Sequence, residues 1–180
     1  MLIYGDSLSA AYGMPEQRGW VALLEERLKR ERPDYNVANA SISGETTAGG
    51  LARIAKVLER HKPAIVVLEL GANDGLRGLP VTEMKKNLSV IIERSQQAGA
   101  QVLLVGMRMP PNYGTAYVLA FERAYAELAK RHRVPLLPFL LEGFGDSFEL
   151  FQPDRIHPTE TAQPKVLNNV WGALAPLLKK

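Results

Sequence analysis

Short apolar runs rich in β-formers alternate along this chain with longer segments whose apolar residues recur three and four positions apart. The short runs are Leu2 to Gly5, Tyr35 to Ala38, Ala64 to Leu70, Gln101 to Met107 and Val134 to Pro138. Their apolar character is continuous rather than alternating, as in strands buried on both faces of a parallel sheet. The intervening helical stripes are Trp20, Leu23, Leu24, Arg27 and Leu28; Leu51, Ile54, Ala55 and Leu58; Met84, Leu88, Ile91 and Ile92; Val118, Phe121, Tyr125 and Leu128; and Leu167, Val170, Leu174 and Leu178. These stripes are assigned to the core. Five strands separated by helices, joined by crossovers that are nearly always right-handed, predict an α/β fold: a three-layer α/β/α, doubly wound, five-stranded parallel sheet in the flavodoxin-like order 2-1-3-4-5.

A chain of 180 residues supplies one sizeable core, and no repeat, linker or composition break divides it. Residues 1–180 are therefore expected to form one domain. The 46% hydrophobic and 23% charged residues exclude collagen-like, low-complexity and disordered classes. With zero cysteines there is no thiol nucleophile, disulfide scaffold or Cys-ligated metal. A net charge of +3 is too small to suggest a nucleic-acid surface. The densest basic runs, Lys29 to Arg32 and Lys130 to Arg133, fall where helices should end, a favourable place for cations. No apolar run reaches the roughly 20 residues of a membrane span, and no leader is visible.

In a doubly wound sheet, ligands gather at the carboxyl ends of the strands. There the chain places Gly5-Asp6-Ser7-Leu8-Ser9, then Asn39 to Thr47, then Gly71-Ala72-Asn73-Asp74-Gly75, and finally Asp154-Arg155-Ile156-His157-Pro158. Of the three histidines, His61 and His132 lie at helix ends, so a histidine general base, if there is one, is His157. Asp154 is close enough in sequence to orient its imidazole, although an Asx-turn beside a surface histidine is the commoner meaning of that spacing taken alone. Ser7 is either a nucleophile presented by a tight turn or an N-cap. Asn73 and Gly44 are either oxyanion donors or ordinary turn residues. The combination of a serine, a base with its orienting acid and two kinds of donor at one edge favours acyl transfer. No P-loop, dinucleotide fingerprint or G-x-S-x-G elbow is present.

These four blocks, in this order, resemble those of the GDSL or SGNH hydrolases, in particular the bacterial thioesterase I / lysophospholipase L1 / arylesterase group. The resemblance implies a serine esterase for acyl esters and thioesters, acting through a covalent acyl-serine. Ser7, Asp154 and His157 would be catalytic, and the Ser7 and Gly44 amides with the Asn73 side chain would form the oxyanion hole. It further implies a mobile loop from Gly75 to Pro80, with Leu76 and Leu79, beside an acyl channel, and places Arg108, Pro110 and Tyr113 near the substrate. No metal and no cofactor is expected. The expected partner is a small acyl ester or thioester, lysophospholipid included, and the expected state is a monomer, periplasmic or secreted, with a cytoplasmic placement left open. The alternative is a non-catalytic acyl-binding domain on the same fold. Ala72 departs from the glycine common at that point in close relatives.

Overall fold

The computed structural model describes residues 1–178. Its strands are β1 (Leu2–Gly5), β2 (Ala38–Asn39), β3 (Ile65–Glu69), β4 (Gln101–Val105) and β5 (Leu136–Leu137). They form one parallel sheet in the order β2-β1-β3-β4-β5, as the periodicity predicts. The helices are α1 (Trp20–Glu31), α2 (Thr47–His61), α3 (Ala72–Leu76), α4 (Val81–Gln97), α5 (Thr115–His132) and α6 (Gln163–Leu174).

Side chains alternate across the central strands and feed two separate cores. Leu2, Tyr4, Val66, Leu68, Val102 and Leu104 point toward α2, α4 and α5. Ile3, Ile65, Val67, Leu103 and Val105 point toward α1 and α6. Both faces are covered, which explains why the strands read as unbroken apolar runs.

Three expectations need correction. The second and fifth strands are two residues long, shorter than Tyr35 to Ala38 and Val134 to Pro138. Both are edge strands with a single neighbour, so fewer of their residues join the ladder. Ala55 is exposed rather than core, since α2 turns only its Gly50, Ile54 and Leu58 side inward. Gly75 and Leu76 belong to the short helix α3 instead of a loop. Gly71 at φ +119° enters that helix in a conformation available to glycine, and the Gly75 amide bonds back to its carbonyl at 3.0 Å.

Candidate active site

β1 ends at Gly5 directly beneath the turn that bears Ser7. A side chain at Gly5 would place its Cβ 2.6 Å from Glu69 Oε2, so only glycine lets the turn approach β3 this closely. Asp6 is fully buried, and its Oδ1 accepts the Leu8 amide at 3.0 Å. Glu69, at the end of β3, accepts the Ser9 hydroxyl at 2.7 Å and the Asp6 amide at 3.3 Å. The turn is thus pinned on both sides of Ser7 by carboxyl groups. Asp6, and not Ser7, does the local capping, which leaves the Ser7 hydroxyl available.

That hydroxyl lies 2.8 Å from His157 Nε2. Nδ1 of the same ring lies 2.7 Å from Asp154 Oδ2. The other Asp154 oxygen accepts the Ile156 and His157 amides at 2.9 and 3.0 Å. The two sequence readings of this segment therefore hold together: one oxygen builds the Asx-turn, while the other meets the imidazole. Burial opposes ionisation of Asp154, but the His157 and Ile156 amides and the imidazole outweigh it and hold the carboxyl below its usual range. Nδ1 next to a carboxylate is the protonated nitrogen, which leaves Nε2 as acceptor for the Ser7 hydroxyl.

The segment from β2 to α2 passes beside this pair. Gly44 sits at φ +79°, and a Cβ there would come no closer than an ordinary contact, 3.9 Å to Arg77 Nη2, so conformation rather than crowding calls for glycine. Among the described residues, neither the Ser7 nor the Gly44 amide is taken up by a partner. Asn73 differs. Its Nδ2 donates to Asp6 Oδ2 at 3.0 Å and to the Glu45 carbonyl at 3.1 Å, so both amide hydrogens are engaged. Asn73 thereby ties the Ser7 turn to the Gly44 segment. Burial pushes Asp6 up to about 7, partly offset by the Leu8 amide and Asn73 and reinforced by Glu45 and Asp74.

The residues expected near a substrate are distributed more widely. Tyr113 donates to the Leu76 carbonyl at 2.9 Å, and Tyr117 to the Leu79 carbonyl at 2.8 Å, so the stretch from Gly75 to Pro80 is braced by two phenols. Gly75 is buried, Leu79 and Pro80 are exposed, and Pro110 is exposed beside the 3-10 turn that carries Tyr113. Arg108 reaches Glu142 at 3.4 Å and lies over the Phe139 ring. A cavity of about 640 Å³ opens at the opposite edge of the sheet, beside Met1, Val37 and Ala64, away from these groups.

Sequence reasoning passed over four participants. Tyr12 lies against the His157 ring, and Gln152 bonds to the Tyr12 carbonyl. Arg53 of α2 grips the Glu45 carboxylate. Glu69 holds the Ser7 turn from below. Only Glu69 left a signal, as an acid inside an otherwise apolar strand. Among the described residues no cluster of His, Asp and Glu suits a metal ion.

The chain belongs to the GDSL-like lipase/acylhydrolase family, which it matches over residues 3–163. Within it, the chain is 51% identical to Esterase TesA of Pseudomonas aeruginosa, over 99% of its own length and 89% of the relative's. It is 44% identical to an arylesterase of Vibrio mimicus, covering 91% and 82%. Thioesterase 1/protease 1/lysophospholipase L1 of Escherichia coli is 42% identical over 99% and 84%. The crystal structure of TesA superposes with a TM-score of 0.95 over 98% of each chain at 51% identity. That of the psychrotrophic esterase EstA from Pseudoalteromonas, inhibited by monoethylphosphonate, gives 0.93 at 39% identity, over 97% of this chain and 96% of that one.

Proposed function

We propose that this chain, an esterase of the SGNH family, hydrolyses carboxylic esters and thioesters of acyl chains in two steps through an acyl-serine. His157 Nε2 takes the Ser7 proton as Oγ attacks the carbonyl carbon, and the same proton then goes to the departing alcohol or thiol. Water attacks the acyl-serine with His157 again as base, which returns the acid and the free Ser7 hydroxyl. Asp154 keeps the proton on Nδ1 and steadies the imidazolium. The Ser7 and Gly44 amides are the ready oxyanion donors. Asn73 completes the hole by turning one Nδ2 hydrogen from Asp6 or the Glu45 carbonyl toward the developing charge.

The Asp154–His157–Ser7 chain of hydrogen bonds, at 2.7 and 2.8 Å, carries this reading. Gly75, Leu76, Leu79 and Pro80, with Arg108, Pro110 and Tyr113, are proposed to border the acyl group. The relatives' names support small esters, thioesters and lysophospholipids as the substrate range. A periplasmic or secreted monomer remains part of the proposal; among the described residues no helix is long and apolar enough to cross a membrane.

Intact mass after exposure to an alkyl fluorophosphonate tests the assignment without a known substrate. One stoichiometric adduct, absent in Ser7→Ala, is expected. A folded wild-type protein that stays unmodified would refute an activated serine and return the chain to acyl binding without turnover.

A further inference from the structure

Tyr12 is 49% exposed, yet it is not a free surface side chain. Its ring lies in a tilted stack on the His157 imidazole, with centroids 4.4 Å apart and planes at 36°. The backbone around it is fixed from both sides. The Tyr12 amide donates to the Ser7 carbonyl at 3.3 Å. Its own carbonyl accepts Gln152 Nε2 at 2.9 Å, and the same nitrogen reaches the Pro158 carbonyl at 3.2 Å. The Gln152 amide in turn donates to the His157 carbonyl at 2.7 Å. Gln152 is thus a strut between the segment that bears Ser7 and the segment that bears His157. Gly13, at φ +75°, turns the chain just after Tyr12, and any side chain there would collide with Gln152 Oε1.

The His157 ring is held at its edge by two in-plane bonds, Nδ1 to Asp154 and Nε2 to Ser7. Such bonds fix direction but resist tilting of the ring poorly. A stack on one face supplies the missing restraint. It also acts differentially, because the imidazole becomes a cation only when it takes the serine proton, and an aromatic face within about 6 Å attracts a cation. We propose that Tyr12 is a positioning residue for the reaction: its ring face and the Gln152 strut hold the His157 imidazole in line with Ser7 and favour the imidazolium formed during attack. This rests on His157 acting as the base.

Wild type, Tyr12→Phe, Tyr12→Leu and Tyr12→Met are compared for kcat and KM on p-nitrophenyl butyrate and for the rate of fluorophosphonate labelling. Loss of the ring face in the Leu and Met variants is expected to lower kcat and the labelling rate about tenfold, with KM within about twofold of wild type. Tyr12→Phe keeps the face and should restore both rates. Having two variants without a ring guards against one folding poorly, and thermal midpoints identify such a case. Wild-type rates in either folded ringless variant would overturn the proposal. So would a change confined to KM, which marks a substrate contact, or a Phe variant as slow as Leu. If wild type itself takes no label, the catalytic assignment fails first; if it labels normally and the ringless variants match it, only the role of Tyr12 falls.

Discussion

Asn73 spends both hydrogens of its side-chain amide on holding the site together, one on Asp6 and one on the Glu45 carbonyl. On the mechanism proposed above, an oxyanion competes with two existing acceptors, and one of them, the Asp6 carboxyl, is made easier to protonate by burial, to about 7. Asn73→Ala is expected to lower kcat by about 10² to 10³ with little change in KM, as loss of one oxyanion donor does. Freeing the tie between the two segments should also cost about 1 kcal/mol of stability. Steady-state kinetics and a denaturant titration separate the two effects. At this scale the convergence of Ser7, Asp154 and His157, with Asn73 and the Gly44 segment beside them, was legible because the strand-end rule narrows the search to a few short polar segments. Tyr12 was not, since its contact with His157 exists only once two distant loops meet, and an aromatic residue five places beyond a serine carries no signal of it.

Among the elements, the segment joining β2 to α2 has the most at stake, for it presents Gly44 with little secondary structure of its own. It is held from outside. Arg53 binds both Glu45 oxygens, and its guanidinium lies 4.3 Å from the centre of the Tyr4 ring. Tyr4 in turn donates to the Gly50 carbonyl at 2.6 Å, while Arg77 donates to the Gly44 carbonyl at 2.9 Å. The Glu45 side chain is only 6% exposed, so removing its partner strands a largely buried carboxylate. Arg53→Leu should cost about 1–3 kcal/mol, from the charged hydrogen bonds lost. With the Gly44 amide in its proposed role as an oxyanion donor, the same change should slow kcat roughly tenfold as that amide loses its fixed position. Melting curves and kinetics read these together, and an Arg53→Leu enzyme with wild-type kcat would show that α2 does not position this segment. The central strands and long helices were readable because burial on both faces imposes their patterns. α3 was not: Ala72-Asn73-Asp74-Gly75 has the composition of a turn, and its helical form is supported by tertiary bonds, with Asp74 Oδ2 accepting the Thr47 amide of α2 at 2.8 Å.

Across the whole molecule, the sheet order followed from the alternation of elements, but the acidic floor beneath the site did not. Asp6, Glu69 and Asp74 are all buried at the carboxyl edge of the sheet. Burial, and then the neighbouring Asp6 charge, hold Glu69 well above the usual carboxyl range despite its bonds from Ser9 and Asp6. Its Oε1 has no hydrogen-bond partner among the described residues, so no donor at that oxygen favours the ionised form. Below about pH 4.5 the folded and unfolded chains both hold that proton. Above it the unfolded chain releases the proton while the folded one retains it, so the folded state binds more protons and stability from this group declines as pH rises. Glu69→Gln copies the protonated carboxyl and escapes the decline. Its denaturation midpoint relative to wild type should therefore climb between pH 4.5 and 8; a constant difference would mean that Glu69 is ionised in the fold.

The bond between Ser7 and His157 joins residues 150 positions apart. The nucleophile and its base meet only through the tertiary fold, so any break of the chain between them separates the pair. On the reading proposed here, a cleavage between the two positions that lets the parts separate leaves each part hydrolytically silent.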